Sequence, residues 1–208
     1  MTGTDGVAGS DGLTDLFGLL AYAELVAFFN LSGDAALAST LEDKAALGGM
    51  AVAEFGHFRA LHGELTRIGA VPERAMQPFV TPLNAFHART APADWLEGLV
   101  KAYVGDGIAA DFYRAIAEVL EPDERALVKE VLADTGHADF VTARVRAAIE
   151  EDPTRAGRLA LWARRLVGEA LARLVVGAAG ASGGQGDIGR MFADLIDAHD
   201  RRLAALGL

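Results

Sequence analysis

The feature that most narrows what this chain can fold into is a five-residue pattern written twice. Ala53–His57 reads AEFGH and Ala133–His137 reads ADTGH, 80 positions apart. Each is Ala, a carboxylate, any residue, Gly and His, and each lies in a stretch of helical periodicity. Residues i and i+3 share a helix face. Glu54 with His57, and Asp134 with His137, are therefore expected to point the same way, and a chain that repeats such a pair is read as two related halves.

The surrounding sequence supplies helices for both copies. Of the 208 residues, 51% are hydrophobic and 23% charged, a globular composition dominated by Ala, Leu and Val. Apolar residues recur at helical spacing nearly everywhere, and strand alternation is almost absent. The first helix is expected over Leu13–Asn30, with Leu13, Phe17, Leu20, Glu24, Ala27 and Leu31 along its seam. A second opens at Thr40-Leu-Glu-Asp43, a capping-box variant, and stops near Gly69. Pro72–Pro92 holds four prolines without a clear period and is read as a long crossover. A third helix runs from Asp94-Trp95 to Leu120, and a fourth from the Glu121-Pro-Asp-Glu turn to Glu151. Two more follow at 156–178 and 188–206, separated by a Gly/Ser-rich joint at Gly180–Gly186. The expected fold is all-α: a four-helix bundle with a long crossover between helices 2 and 3, the ferritin-like arrangement, plus two additional C-terminal helices. Residues 1–12 are expected to be a flexible acidic tail and 13–208 a single helical domain with its core bundle at 13–151.

Inward carboxylate and imidazole pairs are suited to iron or manganese. Dinuclear carboxylate bundles take such a pair from each of two helices and one further carboxylate from each of the others. Glu24 lies on the seam of the first helix. The third helix offers Asp106 and Asp111, about 140° apart, so only one can face the centre. Asp106 is the better match, because it and Asp134 are about equally far from the turn at Pro122. Glu24 and Asp106 are 82 residues apart, close to the interval between the pentapeptides. The expected metal ligands are Glu24, Glu54, His57, Asp106, Asp134 and His137. Glycines 56, 105, 107 and 136 flank them, which fits close helix approach or room for a substrate. His62, His87 and His199 lack carboxylates at ligand spacing and are expected to be surface or capping residues. Tyr103 and Tyr113 are expected in the core.

With these residues in place, the chain resembles the ferritin-like diiron carboxylate proteins, and within them the MiaE-like branch of tRNA hydroxylases and their actinobacterial relatives. The resemblance covers roughly Leu13 to Val176. It rests on Glu24, Glu54-Phe-Gly-His57, Asp106 and Asp134-Thr-Gly-His137, with the stretch LVKAYVGDGIAADFYRAI. It implies two iron ions, with manganese the alternative, that reduce dioxygen and insert one oxygen atom into a C–H bond. The implied substrate is a small molecule or a modified nucleoside of tRNA. Asp106 and Asp134 stand where such sites usually carry Glu.

Several classes are excluded or disfavoured. With no cysteine there is no disulfide, thiolate metal site or Cys nucleophile, and no Gly-rich dinucleotide fingerprint is present. A hydroxylase of this composition therefore needs a separate electron-donor reductase. A net charge of −10 argues against a broad nucleic-acid footprint. The local exception is Thr154–Gly186, where Arg155, Arg158, Arg164, Arg165 and Arg173 face a single acid, Glu169. The apolar run Leu13–Phe29 carries Asp15 and Glu24 and is short for a span. No signal peptide is recognisable at the N-terminus, so a cytoplasmic protein without membrane partners is expected. Two other functions fit the same residues. One is an iron-oxidising or storage protein, for which the extra helices favour a small oligomer such as a homodimer over a cage. The other is a non-catalytic helical interaction protein with a degenerate metal site.

Overall fold

In the computed structural model, the described residues are 5–116, 120–133, 137–178 and 185–208. Among them are eight helices and no strand: α1 (Asp5–Leu37), α2 (Leu41–Arg67), α3 (Pro72–Arg89), α4 (Trp95–Ile116), α5 (Pro122–Val131), α6 (His137–Glu151), α7 (Thr154–Ala178) and α8 (Gln185–Leu206). The all-α fold class is as the periodicity predicts. The chain divides into two compact units, Met1–Ala91 and Pro92–Leu208, and the division falls at the C-terminal end of the expected crossover.

The first unit is built on α1. Its residues Phe17, Leu20, Ala21 and Leu31 are buried, and α2 packs along it with Leu47, Ala51, Leu61 and Leu65 inward. The stretch Gly12–Leu37 has the length and mean hydropathy, 1.5, of a membrane-crossing helix; Phe17, Leu20, Ala21 and Leu31 are buried, while Phe29 and Leu37 are exposed. The helix begins at Asp5, upstream of the expected start at Leu13. Thr40 caps α2 as predicted. Its hydroxyl accepts from Asp43 N at 3.0 Å and donates to Asp43 Oδ2 at 2.7 Å. Lys44 Nζ donates to Ala36 O at 2.8 Å, placing a cation at the C-terminal end of α1. The stop at Gly69 is also as read: φ is +83°, and Ala70 N donates back to Leu65 O at 2.9 Å.

The crossover departs from expectation. Pro72–Arg89 is a helix, although Pro78 and Pro82 lie inside it and each lacks the N–H of an intrahelical bond. Packing on α1 compensates. Pro72, Ala75 and Met76 are buried, Tyr22 Oη donates to Asn84 Oδ1 at 2.8 Å, and Asn30 meets His87 Nδ1 at 3.2 Å. The closest approach is at Gly18, where an added Cβ would lie 2.3 Å from the Ala75 carbonyl oxygen. Only glycine fits there.

In the second unit α4 packs against α6, α7 and α8. Leu96, Leu99, Val100 and Val104 of α4 meet Val141 and Val145 of α6, Leu159, Ala163 and Leu166 of α7, and Leu195, Leu203 and Leu206 of α8 in a buried core. A polar knot fixes the start of α4. Asp94 Oδ1 caps Glu97 N at 2.9 Å, and Arg158 donates to Asp94 Oδ2 at 2.7 Å and Glu97 Oε1 at 2.5 Å. Trp162 Nε1 completes it by donating to Glu97 O at 3.0 Å.

The expected fourth helix is two helices. α5 starts where the turn predicts, with Glu121 N donating to Glu124 Oε2 at 3.0 Å. It ends at Val131 with Leu132 at its C-cap, and α6 is described from His137. The Gly/Ser joint falls largely outside the described residues, and α8 begins at Gln185 rather than Ile188.

Candidate metal centre

The first pentapeptide lies in the middle of α2, where the helical step brings Glu54 and His57 to one face. Opposite them α1 presents Glu24, one turn beyond the buried Leu20 and Ala21. The three side chains meet. His57 Nδ1 is 3.4 Å from Glu24 Oε2 and 3.5 Å from Glu54 Oε2, and one ligand atom from each residue lies within 4.8 Å of the others. Their side chains are 12–18% exposed.

Placing two carboxylates there is costly. Burial, reinforced by Glu54 and opposed by His57, pushes the Glu24 carboxyl from its ordinary 4.5 up to about 9. Contacts with Glu24 and then Glu54 hold the His57 imidazolium up to about 10. Both Glu24 and His57 of the metal-free cluster therefore hold their protons more tightly than a free carboxyl or imidazole. Even so, Glu24 Oε2 and His57 Nδ1 are buried without a well-formed hydrogen bond. Their 3.4 Å separation is a close electrostatic contact. A divalent cation is the group that two carboxylates and an imidazole would accept in place of the protons.

In the second unit His137 is buried on α6, and its Nδ1 lies 2.8 Å from Asp106 Oδ2. The Asp106 side chain is 49% exposed. Of the two acids weighed on α4, Asp106 is the one beside His137, whereas Asp111 pairs with Arg202 of α8. Asp134 and Gly136 lie outside the described residues, as does the side chain of Tyr113. α2 runs unbroken through the first pentapeptide, whereas α5 ends at Val131, two residues before the second begins. Tyr103 is half-buried.

The other histidines differ from one another. His62 is surface-exposed and lies 3.4 Å from Glu73 Oε1, and His87 meets Asn30. His199 corrects the expectation: it is buried on α8 with neither ring nitrogen hydrogen-bonded, and burial lowers its pKa. Of the four flanking glycines, Gly107 has a definite role, since an added Cβ would collide with the Arg202 side chain. An added Cβ at Gly56 or Gly105 meets nothing within 4 Å. Sequence reading missed Arg202. Its only local signal is an interior glycine one residue from a candidate ligand.

A family model described as a ferritin-like domain of actinomycetes matches residues 9–180. The chain belongs to this family. The match spans most of α1 through α7 and all six expected ligands, while α8 lies beyond it. No curated protein matches the chain. For a ferritin-like domain, a cluster of buried carboxylates with histidine is compatible with metal binding, which agrees with the donor set at Glu24, Glu54 and His57.

Proposed function

We propose that this ferritin-like protein binds two iron ions and uses them to activate dioxygen for hydroxylation of a small substrate. The ligands in this reading are Glu24, Glu54 and His57 from the first half, with Asp106, Asp134 and His137 from the second. The observation that carries it is the Glu24–Glu54–His57 cluster. A buried carboxyl held protonated against a neighbouring carboxylate is a poor core element and a good cation site. When bound, the iron pair supplies the electrons and open coordination positions that dioxygen reduction requires.

The protein's own part is to hold, neutralise and exclude. Glu24 and His57 give up their protons on metal uptake, leaving a carboxylate–carboxylate–imidazole set in a largely dehydrated position on α1 and α2. His137, kept in one ring orientation by Asp106, presents its other nitrogen Nε2 as donor. Electrons come from a separate reductase, since the chain has neither cysteine nor a dinucleotide fingerprint.

The substrate we favour is a small molecule rather than tRNA. Two of the arginines that make α7 basic are engaged within the unit: Arg155 with Glu151 and Asp152, and Arg158 with Asp94 and Glu97. That leaves a thin basic surface for a polyanion. A cytoplasmic location fits a reductase-dependent oxygenase.

The test is to load the purified chain with Fe(II) without oxygen, remove unbound metal and count iron per chain. About two per chain, lost on combining His57→Ala with His137→Ala, supports the reading. A wild-type protein that retains none overturns it.

A further inference from the structure

Although α8 lies beyond the residues matched by the family model, one of its side chains reaches the helix that carries Asp106. Arg202 Nη2 donates to the carbonyl oxygen of Gly107 at 2.8 Å and also to Asp111 Oδ2. Both Arg202 and Asp111 are largely buried. The space for the guanidinium exists because residue 107 has no side chain: a Cβ there would sit 2.2 Å from Arg202 Nε and 2.6 Å from Cδ. Gly107 and Asp111 are one turn apart on α4, so a single planar, rigid fork spans both. The residue before Gly107 is Asp106, whose Oδ2 lies 2.8 Å from His137 Nδ1.

We propose that Arg202 is a positioning residue for the Asp106–His137 pair. By gripping a backbone carbonyl and a carboxylate one turn apart, it sets the rotation of α4 about its axis and its height along it. Those two quantities decide where Asp106 presents its carboxylate. The appended helix is thus part of the second half-site, through a residue that touches neither the expected ligand Asp106 nor His137 by its charged end. The consequence for metal rests on the ligand roles proposed above; the consequence for His137 does not.

Side-chain NMR of the five histidines in the metal-free full-length chain, with Co(II) titration alongside, tests both. Arg202→Met is expected to move the His137 Nδ1 resonance as its contact with Asp106 loosens, to leave His57 in place, and to weaken Co(II) binding about tenfold. Arg202→Lys, which keeps the charge but not the fork, is expected to fall between Met and wild type. A lower melting temperature with His137 and Co(II) affinity unmoved would make Arg202 a structural tie and overturn the proposal. If Arg202→Met does not fold, the same comparison of Arg202→Lys and Asp111→Asn with wild type decides it: a His137 shift supports, no shift overturns. If wild type takes up no Co(II), the metal reading fails, and the His137 resonance still decides the positioning role.

Discussion

The two pentapeptides share a pattern and end up in different local structures. AEFGH lies inside an unbroken α2, and the helix delivers Glu54 and His57 to a face where Glu24 joins them. ADTGH follows the end of α5 at Val131, and its His137 lies on α6. The first copy is bordered by Met-Ala-Val-Ala and by Phe-Arg-Ala-Leu, mostly residues that tolerate a helix, so Gly56 is absorbed. A motif that specifies side-chain chemistry does not by itself specify backbone. Among the described residues, the first unit holds a largely buried cluster of Glu24, Glu54 and His57, and in the second His137 lies beside a half-exposed Asp106.

That contrast predicts unequal metal sites. His57→Ala is expected to weaken Fe(II) or Co(II) binding by about a hundredfold or more, and His137→Ala by less, since the carboxylates beside His57 are largely buried and Asp106 beside His137 is half exposed. Isothermal titration of the two single variants measures the difference, and equal losses would erase the distinction drawn here. The next largest effect is structural and confined to the first unit. Gly18→Val drives a branched side chain into the Ala75 carbonyl and is expected to cost about 2 kcal/mol. Denaturant unfolding should show the loss, while hydrogen exchange in α4 and α7 stays at its wild-type rate.

The units should also respond to pH with opposite sign. Glu24 and His57 both hold protons more tightly folded than unfolded, so their contribution is full at low pH. It declines as pH rises from 4.5 to about 9 for Glu24 and from 6.5 to about 10 for His57. Metal-free protein should therefore lose on the order of 1 kcal/mol or more between pH 6 and 9, and Glu24→Gln should flatten that slope in thermal melts. In the second unit His199 is buried neutral, near Arg164 and Arg202, with its pKa lowered first by burial. The unfolded chain takes up that proton below about 6.5 and the folded chain resists, so stability falls as pH falls. This is the smallest of the four effects, and His199→Leu is expected to remove it. A melt of α8 that is indifferent to pH between 5 and 7 would show that the ring is solvated.

Much of this was legible in order along the chain. Thr40 with Asp43, Glu121 with Glu124 and Gly69 announce helix ends because capping is a matter of neighbours three residues apart. Spacing also selects Asp106 over Asp111. What was not legible came from distant partners. The prolines of α3 read as breakers until Gly18 and Tyr22 of α1 provide a surface that holds the helix together. His199 reads as a surface residue until α8 is packed, because one histidine among alternating polar and apolar positions says nothing about which side is covered.

The sequence by itself determined an all-α chain with two carboxylate–histidine motifs and the placement of Glu54 with His57 on one face. These follow from a 3.6-residue period and from caps that act within a turn. Only the tertiary structure decided that Glu24 closes on His57, that α5 ends just before the second motif, and that Asp111 is held by Arg202, 91 residues away. Such choices depend on which surfaces meet once the helices have formed, and no local rule carries that information.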